Sequence, residues 1–376
     1  MNLTLKVFLS LLQSGLWEKN VQIDSFDSVK YQDIYRLSEE QSVVGIIAAG
    51  IGRVRNVKIP QEISLKFIGA TLQLEARNKA MNFFIASLVE KMCEKDIYTI
   101  LVKGQGIAQC YEKPLWRASG DVDLLLNSDD YITAQRYFDA VASSFKEGSK
   151  KDLINSHREY NINDWQVELH GTLNSNLSRR VDRIVDSLKY NVFNGGEVRI
   201  WQNNNTPVYL PSPDNDVIFI FTHILQHFFD GGIGLRQICD WCRLLWTYRD
   251  TLNCNLLESR IKKMGLLSEW TAFASLAVVY MGMPVEAMPL YKKGCERKAE
   301  RILSYIIKSG NFGHNRDFSY TKRHSTLVRK AITLWRQAKD SCQLALIFPI
   351  DAPKFLVRYI YDGINSLLHK KSIINL

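Results

Sequence analysis

The hydrophobic period changes twice along this 376-residue chain, and those changes restrict the fold more than composition does. Val7, Leu11 and Leu12, and later Leu72, Ala76, Phe83, Phe84, Leu88 and Met92, recur near the 3.6-residue spacing of amphipathic helices. Residues 1–96 therefore read as an N-terminal helical segment. From Ile97 to about Trp201, short β-rich runs take over: IYTILVK at 97–103, DVDLLL at 121–126 and WQVELH at 165–170. A helix is predicted over 128–142, and a hairpin-like FNGGEVRIW occupies 193–201. After TPVYLPSPDND at 206–216, a proline-marked joint, the helical period returns in VIFIFTHIL, GLRQICDWCRLLW and AFASLAVVYM. The expectation is an α+β chain: a small mixed-sheet core at 97–205, a helical segment before it, a helical domain at 206–300 and a basic helical tail at 301–376. No internal repeat or low-complexity tract breaks this order.

Composition excludes several classes. With 46% hydrophobic and 23% charged residues, the chain is neither disordered nor collagenous. No run reaches the ~18 apolar residues of a membrane span, and MNLTLKVFLSLLQSGLW lacks a small-residue cleavage site, so it reads as a first helix. Seven scattered cysteines argue against a disulfide framework and point to a reducing compartment, the cytoplasm. Cys239 and Cys242 form a C-x-x-C with no second pair to complete a zinc site. The net charge of +9 is local: residues 301–376 hold 13 Lys/Arg against 4 Asp/Glu, and the first 300 residues are balanced. Within that tail, RHSTLVRKAITLWRQAKD at 323–340 places Leu327, Ala331, Leu334 and Trp335 near helix spacing. It reads first as a solvated helix. Contact with nucleic acid, phospholipid or an acidic partner stays open, although no nucleic-acid recognition motif accompanies it.

The chemistry-bearing stretch is LVKGQGIAQCYEKPLWRASGDVDLLL, residues 101–126. If DVDLLL is a strand, Asp121 and Asp123 leave the same face while Val122 and Leu124 point to the core. At a separation of ~5 Å and an effective dielectric of ~20, two such charges repel by roughly 3 kcal/mol. A compensating cation, solvent at a strand edge, or bound Mg²⁺ relieves that repulsion, and hard cations take carboxylate and phosphate oxygens together. A third carboxylate, Glu168, sits in WQVELH with His170 on its face. Three acids converging from two strands make a two-metal arrangement for phosphoryl chemistry. Upstream, Lys103, Gly104 and Gly106 lie in a turn that ends a strand and opens a helix, where backbone N–H groups approach an anion and Lys103 adds a charge. Each piece alone is common; their order within about 70 residues is what carries the signal.

That order resembles the nucleotidyltransferase superfold of the DNA polymerase β type. The wording KG…Y…WRASGDVDLLL, then VELH, then LPSPDN…HILQH…LRQICDWCRLL is similar to a bacterial group described as uncharacterised nucleotidyltransferases, over about Leu72 to Leu245. IFPIDAPKFLVRYIY resembles that group's tail. The resemblance implies that Asp121 and Asp123 are metal ligands, Glu168 is the third acid and Gly104 is the phosphate-turn glycine. The chain departs from the superfold's usual Gly-Ser or Gly-Gly turn, having Gln105 after Gly104, and sixteen residues separate Gly104 from Asp121.

Other residues extend the candidate site. Arg117, followed by Ser119 and Gly120, either clamps a phosphate or pairs with Asp121 or Asp123. His223 and His227 share a helix face, with Arg236 and Asp240 on the next helix. They line an acceptor side of the cleft, form a buried polar network or, with Asp240, hold zinc. Trp116, Trp165 and Trp201 pack in the core or stack on a base. The expected activity is transfer of a nucleoside monophosphate from an NTP to an unknown small or macromolecular acceptor, with Mg²⁺ or Mn²⁺ as cofactor. Asp121, Asp123 and Glu168 would be catalytic and metal-binding, and Lys103, Gly104, Gly106, Arg117 and Gly120 nucleotide-binding. The alternatives are a related enzyme acting on protein or tRNA, a non-catalytic nucleotide-binding or interaction module, and a helical scaffold.

Overall fold

Four helices precede the sheet in the computed structural model, which describes residues 1–23, 29–146, 157–175, 177–313, 315 and 326–371. They are α1 (Leu3–Trp17), α2 (Tyr31–Glu40), α3 (Val44–Ile51) and the long α4 (Gln61–Cys93). Helices α1 and α3 meet backbone to backbone. A Cβ on Gly15 would lie 1.9 Å from the Ile46 carbonyl oxygen, and one on Gly50 2.0 Å from that of Leu11, so only glycine allows the approach. Ile63 and Phe67 of α4 join this helical core, whereas Met81, Ile85, Leu88 and Met92, further along the same helix, cover the sheet.

The sheet has five strands: β1 (Ile100–Val102), β2 (Asp121–Leu125), β3 (Ser144–Lys146), β4 (His157–Ile162) and β5 (Trp165–His170). Their order is β1-β2-β5-β4-β3; β2 and β5 are parallel and every other pair antiparallel. The short α5 (Gly104–Ala108) follows β1, and α6 (Ser128–Val141) covers the sheet between β2 and β3. Strand alternation sends Val122, Leu124, Val167 and Leu169 into the core beneath α4 and α6, which frees the opposite face for polar groups.

Helix α7 (Arg179–Phe193) leads to a hairpin of β6 (Val198–Asn203) and β7 (Thr206–Pro211). The hairpin expected at 193–201 is thus displaced: Phe193 ends α7, and the stretch read as a proline joint supplies β7. In a two-stranded sheet both strands are edges, so Pro207 and Pro211 are tolerated. The rest is helical: α8 (Pro213–Asp230), α9 (Leu235–Thr247), α10 (Cys254–Met264), α11 (Leu267–Val279), α12 (Glu296–Ser309), α13 (Thr326–Ala345) and α14 (Asp351–Lys371). A large core joins α1–α3 to these C-terminal helices, from Val7 through Phe228 and Trp270 to Phe355. The architecture is α+β with helices flanking a small mixed sheet. A boundary at 96/97 separates α4 from the sheet it covers, and one at 205/206 falls in the β6–β7 turn.

In the basic tail, residues 316–325 and 372–376 lie outside the described residues. The side expected to be apolar in α13 faces solvent, with Trp335 76% and Leu334 40% exposed, while Gln337, Ser341 and Leu344 form the buried side. Gln337 donates to the Phe229 carbonyl at 2.8 Å, so a hydrogen bond anchors this helix where apolar spacing pointed elsewhere. No helix among the described residues is long and apolar enough to cross a membrane.

Candidate active site

Register builds the site. In the parallel β2–β5 pair Asp121 stands opposite Gln166, Asp123 opposite Glu168 and Leu125 opposite His170. On the other side of β5, Glu159 is opposite Glu168 and His157 opposite His170. Period-two alternation therefore gathers Asp121, Asp123, Glu168, His170, Glu159 and His157 on one face. His223 and His227 of α8 complete the surroundings: both line the cleft over this face.

The acids are compensated from within the chain. Lys103 Nζ is 3.1 Å from Asp123 Oδ1, and His170 Nε2 is 2.8 Å from the same oxygen. Glu168 Oε2 has His157 Nε2 at 3.1 Å and His170 Nε2 at 3.5 Å. Burial works against charge on Asp123, but Lys103 and the His170 hydrogen bond hold its carboxyl below the usual value. Burial likewise opposes charge on Glu168, yet the imidazoles of His157 and His170 keep it far below. Asp121 has no such partner. The negative charge of Asp123, together with burial and Glu168, pushes its carboxyl up to about 6. That displacement records like-charge repulsion of the kind a bound dication relieves, and the oxygen donors of Asp121, Asp123 and Glu168 fit a hard cation such as Mg²⁺.

The cleft above these residues has a lobe of about 500 Å³ containing Asp121, Asp123, Arg117, Gly120 and Arg236. A second lobe of about 380 Å³ contains His157, Glu159, His170 and Gln226. Lys103, Glu168, His223 and His227 border both. Lys103 has φ 59°, an uncommon value outside glycine, and Gly104 follows at φ 44°. A Cβ on Gly104 would come within 3.4 Å of the Asp121 carbonyl oxygen. The expected glycine turn therefore lies beside the acids and opens the five-residue α5. Gly106 is placed elsewhere: a Cβ there would meet Leu210 of β7 at 2.8 Å, so it serves close packing of α5 on the hairpin.

Arg117 forms an ion pair with neither Asp121 nor Asp123. Its Nη2 is 2.6 Å from Asp240 Oδ2 and its Nε 3.1 Å from Oδ1, a buried bidentate pair, and Tyr111 donates to the same Oδ1 at 2.8 Å. With its oxygens engaged this way, Asp240 does not form a donor cluster with His223 and His227 among the described residues. Burial, with the positive charge of Lys103, lowers both of these imidazoles, His227 to about 4 and His223 well below its usual value, so both are neutral at pH 7. Arg236 donates from Nη1 to the Ala118 carbonyl at 2.8 Å, and its buried Nε has no partner. Burial and the charge of Arg117 lower its pKa, but from so high a start that the guanidinium stays charged.

None of the three tryptophans lines either lobe. Trp116 donates to Glu75 at 3.1 Å, Trp165 stacks on Phe84, and Trp201 packs on the sheet core. Cys239 and Cys242 are buried free thiols whose pKa values burial raises, the opposite of what redox or metal use needs. Sequence reasoning missed His157. Its signal was legible: HREYNI and WQVELH alternate on either side of Asn163-Asp164, both at positive φ, the signature of a two-residue hairpin turn.

Residues 27–282 match the model of a family described as uncharacterised nucleotidyltransferase, a span of more than half the chain. No curated protein matches the chain. No solved structure matches it.

Proposed function

The chain belongs to the uncharacterised nucleotidyltransferase family, and from that membership we propose that it transfers a nucleoside monophosphate from an NTP to a hydroxyl-type acceptor. The bond formed is acceptor oxygen to α-phosphorus; the bond broken joins that phosphorus to its bridging oxygen, and pyrophosphate leaves. The observation that carries this reading is the register that sets Asp123 beside Glu168, with Asp121 on the same face, under a cleft that also holds Arg117 and Arg236.

Asp121, Asp123 and Glu168 are the residues that would hold Mg²⁺ or Mn²⁺. Bound there, the ions supply charge neutralisation at the phosphates and activation of the acceptor oxygen. Glu168, kept ionised by its two histidines, is suited to holding a cation and not to taking a proton. Arg236, with its unpaired Nε, is suited to a phosphate oxygen, and Lys103 and Gly104 line the same lobe. Arg117 is already clamped and neutralised by Asp240, so its contribution is to shape the lobe that both line. Asp121→Asn and Asp123→Asn are each expected to lower NTP turnover by roughly 100-fold or more, as removal of transition-state charge stabilisation does. Mass spectrometry of candidate acceptors incubated with labelled NTPs and Mg²⁺ reads the product; wild-type rates in either variant sink the assignment.

One observation favours a second reading, nucleotide binding without transfer. Lys103 already places a positive charge on Asp123, so the site is electrostatically balanced there without a metal. Calorimetry separates the two, because tight NTP binding with no product over hours supports the binding module.

A further inference from the structure

The transfer reading assigns Glu168 to a hard-cation site, but its immediate neighbours are nitrogen donors. We propose that His157, Glu168 and His170 form a second metal site, sharing Glu168 with the acidic triad and selective for a nitrogen-preferring transition ion of the zinc class over Mg²⁺. Among the described residues this is the group of three His/Cys/Asp/Glu side chains whose donor atoms converge within 4.8 Å. The separations from the two imidazoles to the carboxylate fit. Metal–ligand bonds of about 2.0–2.2 Å place adjacent donors roughly 2.9 Å apart in an octahedron and roughly 3.3 Å apart in a tetrahedron. Here the two imidazole Nε2 atoms stand 3.1 Å and 3.5 Å from the same Glu168 Oε2.

The fold gives this geometry a basis that random surface contacts lack. His157 and His170 are directly paired across β4 and β5, so both project from the same face of the sheet. Glu168 lies two residues from His170 on the same face. The three donors border the 380 Å³ lobe, so coordination positions not filled by protein open into the cleft. Two imidazoles and one carboxylate suit Zn²⁺ or Co²⁺, whereas Mg²⁺ demands an oxygen shell. His170 Nε2 also bonds Asp123 at 2.8 Å, so an ion here displaces that hydrogen bond and leaves Asp123 to Lys103. The site shares Glu168 with the transfer reading but does not depend on it.

The test uses Co²⁺ titrated into the metal-stripped full-length protein, without NTP. The expected result is one equivalent per chain with visible d–d absorption, displaced by Zn²⁺ and not by an equal concentration of Mg²⁺. His157→Ala and His157→Gln are each expected to weaken Co²⁺ binding by about 10- to 100-fold or more, since loss of even an outer-shell partner costs that much. Circular dichroism confirms the fold of each variant. Absent Co²⁺ absorption, equal displacement by Mg²⁺, or unchanged affinity in both His157 variants overturns the proposal and leaves the two imidazoles as counter-charges for Glu168. NTP turnover is read separately, so failure of transfer chemistry leaves the Co²⁺ result standing, and the reverse holds too.

Discussion

At the scale of single residues, the site depends on which charge meets which. Asp240 and Arg117 are each about 5% exposed and bonded at two points. Asp240→Asn removes one charge and strands the other, and unfolding in urea should show a loss of about 3–5 kcal/mol, the usual cost of breaking a buried pair. Arg236 is a different case, because its Nε has no partner. Arg236→Ala should raise KM for the NTP about 10-fold or more while moving the urea midpoint little; an unchanged KM would mean that phosphate binds elsewhere. The residue types here were readable from RASGDVD and WQVELH. Their partners were not, since Asp240 lies 123 positions from Arg117 and no local spacing connects them.

At the scale of elements, close approach and buried charge decide how the helices dock. Gly15 and Gly50 let α1 and α3 touch, and Gly15→Ala would press a methyl group against the Ile46 carbonyl oxygen. Overpacking of this kind costs about 1–3 kcal/mol, readable as a lowered thermal midpoint. Glu269 of α11 is fully buried and, as a carboxylate, finds no donor for either oxygen. Burial, reinforced by Asp351 at the start of α14, raises it from 4.5 to about 8, with Lys298 opposing weakly. In the folded chain it holds its proton to higher pH than an exposed carboxyl does. Because the folded value lies above the unfolded one, the stabilisation is complete below about pH 4.5 and is lost as pH rises through about 8. Stability measured from pH 5 to 9 should decline accordingly, and Glu269→Gln should flatten the decline. Element type was largely legible, because helix-period runs gave α1, α4, α8 and α9. The β4 strand was overlooked despite its alternation, and in α13 the apolar spacing did not reveal that Gln337, Ser341 and Leu344 form the buried side.

At the scale of the whole molecule, the acidic face of the sheet is assembled by segments far apart in sequence. The sheet core is closed by α4, the cleft is walled by α8 and α9, and the helical core joins α1 to α14. A fragment of residues 97–205 lacks the helix that covers its sheet and ends inside the β6–β7 turn, so it should express as an unfolded or aggregating chain; a sharp, dispersed NMR spectrum from it would contradict this. The opening change of hydrophobic period determined the helical, sheet and helical layers, because backbone geometry ties period to element type. The doublet Asp121/Asp123 and the acid Glu168 were likewise present in local order, since strand alternation fixes which side chains share a face. Tertiary structure alone decided that β2 and β5 are neighbours in a register that pairs Asp123 with Glu168, that Lys103 and His170 neutralise Asp123, and that His157 joins them. Those outcomes depend on long-range strand pairing and on the burial of the acids and their partners, and neither is encoded in the spacing of neighbouring residues.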